Sequence, residues 1–277
     1  FLTEYTSLAL RYSLNHDKVS LDENTFFSLN EEGELECDPV IAGRYLCDAI
    51  GTRLTSSVGY SLEYNTLNNR LRPTRGERAV IHQDFAGLGG DVKYLRTRAS
   101  AAKYWNVGGG FIFSANLEGG YIHSFEKQRF DEDGNEIETV RLIDRFFLSE
   151  SQLRGFDIRG VGPRIVRTPY EFNSTTQRYE LSSDPDRVVD DALGGRAYYL
   201  ARAELEIPLG SGARELGLRP SIFLDVGSLF ALKKPQVTVF PDENGDGFPE
   251  PLQRRNRDAN GNPLFLTPDP DGTGPLL

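Results

Sequence analysis

The sequence has little of what a chemical centre or a membrane-spanning helix needs. Its 277 residues include no Met, one Trp, two Cys and three His. No segment approaches the run of about 18 consecutive apolar residues that a spanning helix requires. The histidines, His16, His82 and His123, are scattered, and no nucleophile-elbow or zinc-ligand pattern accompanies them. We therefore expect no catalytic centre and no cofactor.

The sequence also has fewer basic than acidic residues. The 31 Lys and Arg residues are outnumbered by 41 Asp and Glu residues, which gives a formal net charge of −10. Nucleic-acid partners favour basic surfaces, so we do not expect a nucleic-acid partner. The mean hydropathy of −0.44 is typical of a soluble acidic protein. Strands that face lipid at every second residue have equally low averages, so this value is compatible with a transmembrane β-barrel.

The two cysteines, Cys37 and Cys47, lie close together in an acidic stretch. Nine residues separate them, and no further Cys or His ligands surround them. A structural zinc site needs four ligands, so we expect a local disulfide and an oxidising compartment rather than a metal. The chain begins at Phe1 rather than Met and ends in sequence rich in Pro, Asp and Gly. We also expect, therefore, that it is a fragment of a longer protein.

Apolar and polar residues alternate with a period of two along seven segments. In the sixth, Leu205 and Ile207 point to one side, and Glu204 and Glu206 point to the other. Such alternation is typical of strands with two different faces. Several runs are ten residues or longer, which suits tilted membrane strands better than the shorter strands of a soluble sandwich. The predicted strands are 5–19, 53–65, 77–85, 92–105, 111–125, 196–209 and 218–230.

The connections between these strands differ in length in a regular way. Counting strands places every long connection at the same end: 22–52, 126–195 and 231–277. Shorter turns are predicted at 66–76, 86–91, 106–110 and 210–217. Long external loops and short periplasmic turns are typical of outer-membrane barrels, and the 12 Tyr and 17 Phe residues suit their aromatic girdles. The sequence therefore predicts an all-β fold, an antiparallel transmembrane β-barrel.

One acidic string near the end of the chain resembles half of a calcium loop. Asp242, Asn244 and Asp246 follow the D-x-N-x-D-G spacing, but the twelfth position holds Gln253 instead of a bidentate Glu. Asp, Asn and Gly are also common turn formers. A solvated external loop is the preferred interpretation, and a calcium site is the alternative.

A short motif in the longest loop carries a family resemblance. Leu153-Arg154-Gly155-Phe156 is preceded by Arg-Phe-Phe-Leu at 145–148 and followed by Gly-Val-Gly-Pro-Arg at 160–164. Further matching strings lie at 60–66, 72–76, 84–91, 193–199 and 223–230. Together they resemble the BamA branch of the outer-membrane assembly and secretion superfamily, in its alphaproteobacterial form. The resemblance covers nearly the whole stretch from Thr3 to Leu232.

The resemblance implies a sixteen-stranded barrel preceded by periplasmic POTRA domains. The seven strands here would be the seventh to thirteenth, and the POTRA domains and the remaining strands would lie outside this chain. The implied protein is not an enzyme: it folds and inserts β-barrel proteins into the outer membrane of Gram-negative bacteria. Its implied partners are nascent outer-membrane proteins, accessory lipoproteins of the assembly complex and outer-membrane lipid. The alternatives are a related translocation protein, of the TamA type or a two-partner secretion pore, and a passive porin.

The motif also has a physical logic. A long loop folded into a barrel must be held there, and the planar guanidinium of Arg154 presents five donors that suit carboxylates. Glu206 and Asp225 have the strand parity of the lumen side, and the resemblance places the same pairing at those positions. Gly155 would permit a backbone conformation that other residues avoid. Phe156 would wedge against the inner wall.

Overall fold

The computed structural model of the chain describes residues 2–29, 33–37, 42–130, 136–167, 170–176, 178–209 and 218–233. The calcium candidates Asp242, Asn244 and Asp246 lie outside these residues, as does most of the predicted loop 231–277. In the described part of the chain, no helix has both the length and the apolar character that crossing a membrane requires.

Seven long strands form a single antiparallel sheet in chain order. They are β1 (Thr6–Val19), β2 (Gly51–Asn65), β3 (Gly76–Gly90), β4 (Tyr94–Gly108), β5 (Phe111–Ser124), β6 (Ala197–Glu206) and β7 (Ser221–Phe230). The long connections carry two one-turn helices, α1 (Glu23–Phe26) and α2 (Arg44–Cys47), and 3₁₀ turns at Leu142–Asp144 and Pro185–Arg187. They also carry short strand pairs: Phe27–Leu29 with Leu35–Cys37, Arg129–Phe130 with Glu136–Ile137, Arg164–Arg167 with Val189–Ala192, and Tyr170–Asn173 with Arg178–Leu181.

Six of the seven predicted strands end within three residues of the observed bounds, and β3 is the exception. The turn predicted at 86–91 is wrong, because β3 continues to Gly90 through a bulge. Thr55 pairs with Gly90 and Ser57 with Ala86, so three residues of β3 lie opposite one residue of β2. Gly87, Gly89 and Gly90 all have positive φ, which allows this bulge without ending the strand.

Three other predicted strand ends also shift. The turn predicted at 106–110 is smaller, because β4 extends to Gly108 before Gly109 and Gly110 reverse the chain. β6 and β7 are each three residues shorter than predicted at the ends that face the connection between them. Pro208 and Pro220 occupy these ends, and proline lacks the N–H that a strand ladder requires.

The two faces of the sheet differ as the alternation predicts. One face, which we call the outer face, presents large apolar side chains to the surroundings, including Leu10 at 79% exposure and Leu224 at 64%. The opposite, inner face carries the polar positions, among them Arg202 and Asp225, which pair across β6 and β7. An apolar outer face on strands of ten to fifteen residues is typical of a barrel wall in lipid.

The core lies between the inner face and the connection of residues 125–196, which we call the long loop. A first cluster joins Val140 of the long loop to Ala86, Val92, Tyr94 and Ile122 of the sheet side. A second cluster joins Leu148 and Leu153 to sheet residues, namely Tyr198, Leu200 and Leu229. The long loop therefore returns over the inner face, where its burial removes apolar surface from water.

The predicted disulfide between Cys37 and Cys47 is present. It joins the end of a short hairpin strand to α2, within the connection between β1 and β2. Beyond α2, the guanidinium of Arg53 donates hydrogen bonds to the carbonyls of Asp48 and Ile50. These hydrogen bonds hold the end of the cysteine-containing segment against the start of β2.

Candidate functional site

Backbone pairing brings two distant parts of the long loop together. Phe146 and Gly195 exchange two backbone hydrogen bonds, with N–O distances of 2.9 and 3.0 Å. Leu148 bridges to Val161 in the same antiparallel manner. The segment between them, residues 149–160, is thereby directed over β6 and β7 rather than into the surroundings.

Arg145 joins the two segments of the long loop that flank residues 149–160, and we call this junction the root of the loop. Its Nε donates to the carbonyl of Val140 at 2.9 Å, and one terminal nitrogen donates to the carbonyl of Leu193 at 2.8 Å. Burial lowers the pKa of Arg145 to about 10, and burial raises the pKa of the neighbouring Asp144. A guanidinium that remains charged under these conditions donates strongly to carbonyl oxygens, so Arg145 fixes the root of the loop.

Arg154 reaches the inner face and contacts two carboxylates. Its Nε and one terminal nitrogen donate to the two carboxylate oxygens of Asp225, at 2.8 and 2.9 Å. The other terminal nitrogen donates to Glu204 at 3.2 Å. The guanidinium also lies 3.4 Å from the ring centroid of Phe223, which adds a cation–π contact. The hydrogen bond to Asp225 raises the pKa of Arg154 above its ordinary value, so the guanidinium stays charged.

Asp225 accepts hydrogen bonds from a second guanidinium, which the sequence reasoning did not single out. Arg202 donates to Asp225 at 2.9 Å and also to the backbone carbonyl of Gln152 at 3.1 Å. Two arginines and two carboxylates thus form a neutral cluster around Asp225, whose side chain is only 6% exposed. A buried carboxylate needs such partners, because an unpaired one would be costly to keep charged. The signal available in the sequence was the inner-face parity of Arg202.

The second carboxylate beside Arg154 is Glu204, and the expectation of Glu206 is corrected. Glu206 instead lies 3.9 Å from Arg219. Both glutamates share the inner face, so strand parity could not distinguish two positions that differ by two residues. The strand register does distinguish them. Glu204 pairs with Phe223, next to the pair of Arg202 with Asp225, whereas Glu206 pairs with Ser221 at the end of the strands.

The other residues of the motif divide into one buried and two exposed positions. Leu153 is buried in the cluster with Leu200 and Leu229. Gly155 adopts φ of +88°, the conformation for which glycine was expected. Phe156 is 47% exposed in this segment of the barrel, and its contact with the inner wall stays a prediction. The packing in this segment is made by Leu153, which precedes Arg154 and faces the sheet.

A glycine on the inner face makes room for the loop. A Cβ atom at Gly120 would collide with the rings of Tyr198 and Phe146. These two rings pack edge to face with centroids 4.8 Å apart, and the Tyr198 hydroxyl donates to Glu118 at 2.6 Å. Sequence reasoning missed this position, although a glycine inside a strand pattern often marks a close approach of another group.

His82 and Asp84 of β3 lie in a separate polar cluster with residues of β1 and β2. Asp84 accepts two hydrogen bonds from Arg11, at 2.8 and 2.5 Å, and Ser61 lies 2.6 Å from Nδ1 of His82. Arg11 also donates to Ser61 at 2.9 Å. These contacts hold neighbouring strands together. Within the described residues, no group of three or more His, Cys, Asp or Glu side chains is arranged to hold a metal ion.

The fold and the loop together define a class of protein. An antiparallel sheet with an apolar outer face, and an inner face occupied by a returning loop, is part of a transmembrane β-barrel that encloses a long loop. The family model described as the Omp85 superfamily domain matches residues 1–246 of this chain. The chain therefore belongs to the Omp85 superfamily.

Known proteins that resemble the chain come from bacteria and from animals. It is 32% identical over 223 residues to the outer membrane protein assembly factor BamA of Neorickettsia risticii, covering 80% of this chain and 23% of that protein. It is 27% identical over 202 residues to the sorting and assembly machinery component 50 homolog of Bos taurus, covering 71% of this chain and 36% of that protein. The chain thus spans well under half the length of these relatives.

A solved structure supports the same fold. The crystal structure of BamA from Haemophilus ducreyi lacking POTRA domains 1–3 superimposes with a TM-score of 0.56. The match covers 83% of this chain and 40% of that chain, at 20% sequence identity. At this identity the likeness concerns the barrel fold alone.

Proposed function

We propose that the chain is the central barrel segment of an assembly factor that folds and inserts β-barrel proteins into the bacterial outer membrane. The observation that carries this proposal is a returning loop whose Leu153-Arg154-Gly155-Phe156 motif contacts Asp225 on the inner face. It occurs in an Omp85 domain that is 32% identical to a BamA protein.

The proposed role of the Arg154 contact is to anchor the long loop inside the barrel. A loop that fills the inner side leaves little room for a permanently open channel. The barrel would instead act through strand pairing at the edges of its complete sheet, because unpaired strand edges are templates for incoming strands. Such templating requires neither a nucleotide nor a bound cofactor, and we propose no enzymatic step.

The proposed setting follows the resemblance. The long connections face the cell exterior, and the short turns face the periplasm, where POTRA domains of the same polypeptide precede the barrel. Both compartments are oxidising, which fits the Cys37–Cys47 disulfide. The proposed partners are nascent outer-membrane proteins, accessory lipoproteins of the assembly complex and the surrounding lipid.

A folding assay with the full-length protein tests the proposal. The protein is reconstituted in liposomes, and a urea-unfolded small barrel protein is added as the substrate. Heat-modifiable mobility on gels then measures the rate at which the substrate folds. We expect faster folding than in protein-free liposomes, and slower folding with the Arg154→Ala variant than with wild type.

Two measurements separate the alternatives. Swelling of the liposomes in solutes of graded size, without faster folding, would identify a passive porin. Translocation of a secreted polypeptide into the lumen of the liposomes, again without faster insertion, would identify a secretion pore. Either result would contradict the proposed assembly function.

A further inference from the structure

The turn between β2 and β3 carries a positive charge that the rest of the chain does not share. Residues 66–75, which we call the basic turn, contain Arg70, Arg72 and Arg75 and no acidic residue. The turn therefore carries +3, and the remaining residues carry −13, since the whole chain carries −10. Leu71, between two of the arginines, is 91% exposed. A charged patch of opposite sign to the net charge of the chain, with an apolar tip, is typical of a binding surface.

The backbone of the basic turn is fixed by two asparagines. The side-chain oxygen of Asn68 accepts from the backbone nitrogens of Thr74 and Arg75, at 3.0 and 3.1 Å. The side-chain oxygen of Asn69 accepts from the backbone nitrogens of Leu71 and Arg72, both at 2.9 Å. Asn side chains that bond to nearby backbone groups stabilise turns in this way. The arginines are consequently presented on a preorganised turn.

The carboxylates beside the turn already have cationic partners. Glu63 accepts from Arg78 at 2.7 Å, and Glu77 lies 3.0 Å from Lys103. Among the described residues, Arg72 and Arg75 form no ion pair within the chain. Their charge is therefore available to an external anion.

The location of the turn indicates which anion. It follows the end of the sheet where Tyr64, Trp105 and Phe111 are exposed on the outer face, as aromatic girdle residues are at the membrane surface. Asn68 donates to the carbonyl of Arg75, so these two residues continue the hairpin. Asn68 is four residues beyond Tyr64. A rise of about 3.3 Å per residue and a strand tilt near 40° place this pair about 10 Å beyond the girdle.

We propose that the basic turn binds the phosphate groups of anionic phospholipids at the membrane surface. From this depth the flexible side chain of Arg75 reaches back to the headgroup layer, and Arg72, nearer the tip of the turn, adds its charge to the attraction between the turn and anionic lipid. A turn drawn to the surface by its arginines brings the exposed side chain of Leu71 close to the headgroups. The inference rests on the proposed function for its membrane setting and adds a lipid preference to it.

The test uses the full-length protein in lipid nanodiscs. Leu71→Cys supplies a free thiol for an environment-sensitive fluorophore in a protein whose cysteines outside this segment are replaced by Ser; Cys37 and Cys47 are bonded to each other and do not react. Quenching by acrylamide, a neutral molecule that anionic lipid does not repel, is measured in phosphatidylcholine discs and in discs with increasing phosphatidylglycerol. We expect protection that grows with phosphatidylglycerol and reaches about two-fold or more at one third anionic lipid. Free inorganic phosphate added to phosphatidylcholine discs should not reproduce it.

Charge variants provide the decisive comparison. Arg72→Gln with Arg75→Gln should lose most of this protection, so that quenching at one third phosphatidylglycerol returns to within about 20% of its value in phosphatidylcholine discs. The matched control, Lys18→Gln with Lys127→Gln, removes two exposed cations at the opposite end of the strands and should leave protection unchanged.

Several results would overturn the inference. Equal quenching in neutral and anionic discs, or full protection in the double arginine variant, would exclude a phospholipid contact. Protection by inorganic phosphate alone would reduce the turn to a nonspecific anion site. Protection that appears only after an accessory protein is added would make the turn a protein contact. Failure of the protein to enter discs at all, seen as a missing heat-modifiable band, would remove the membrane setting and the proposed function together.

Discussion

Replacing Arg154 with Ala tests whether its contact fixes the long loop on the inner face. The variant removes the hydrogen bonds to Asp225 and Glu204 and the stacking over Phe223. Breaking a fully buried ion pair costs about 3–5 kcal/mol. Here the side chains of Arg154 and Glu204 are 30% and 29% exposed, and Arg202 still neutralises Asp225. We therefore expect a smaller cost of about 1–3 kcal/mol for holding the loop in place.

Limited proteolysis of the folded barrel measures this cost. A loss of about 1–3 kcal/mol raises the open fraction of the loop about five-fold to 150-fold. Cleavage between residues 149 and 160 should accelerate by the same factor, because the protease requires an open segment. The heat-modifiable mobility of the barrel itself should persist, since the strand ladder does not depend on Arg154.

Two glutamates on the same face supply the control. Glu204 accepts a hydrogen bond from Arg154 at 3.2 Å, whereas Glu206 lies beside Arg219. Glu204→Gln should accelerate cleavage, and Glu206→Gln should not. A double-mutant cycle of Arg154→Ala with Asp225→Asn should give a coupling energy different from zero. Unchanged cleavage of the Arg154→Ala variant, or equal effects of the two glutamine variants, would refute the anchoring argument.

Further variants test the packing, the strand orientation and the disulfide. Gly120→Ala should destabilise the protein by about 1–3 kcal/mol in urea unfolding, because its Cβ meets the rings of Tyr198 and Phe146. Gly119→Ala, which meets one backbone oxygen at 3.3 Å, should cost less. Leu205→Arg on the outer face should weaken the heat-modifiable band more than Glu206→Arg, and the reverse order would contradict the assigned faces. Leu205 is level with Trp105 in the aromatic girdle, where an added Arg costs up to about 1 kcal/mol. Reducing the Cys37–Cys47 bond should lower the stability of its segment by about 2–3 kcal/mol, measured as faster hydrogen exchange over residues 42–50. If both cysteines were alkylated in unreduced, denatured protein from native membranes, the bond would be contradicted.

Much of the sheet could be predicted from the sequence, because strand periodicity is a local property. Leu205 and Glu206 differ in polarity and are adjacent, so each strand reveals its two faces without reference to its neighbours. The bulge in β3 could not be predicted in the same way. Glycines after Ala86 are compatible with a turn or a bulge, and the pairing of Gly90 with Thr55 decides between them.

The site was only partly predictable, for a related reason. Parity places Glu204, Glu206 and Asp225 on one face, but the partner of Arg154 depends on where the returning loop descends along the strands. The position of the loop along the strands is set by contacts between distant segments, such as the packing of Leu153 over Leu229.

The long loop is held at two levels by different kinds of contact, and this difference bears on how it could move. Arg145 bonds to backbone carbonyls within the long loop itself, at Val140 and Leu193, so its contacts do not require residues 149–160 to lie on the inner face. Arg154 bonds to side chains of the sheet, so its contacts exist only while the segment lies on the inner face. Releasing Arg154 would therefore remove one anchor of the inner segment without undoing the root, while the packing of Leu153 and the Arg202 bond to Gln152 continue to hold it. Asp225 accepts hydrogen bonds from both Arg154 and Arg202, so a change at this one side chain affects both arginines.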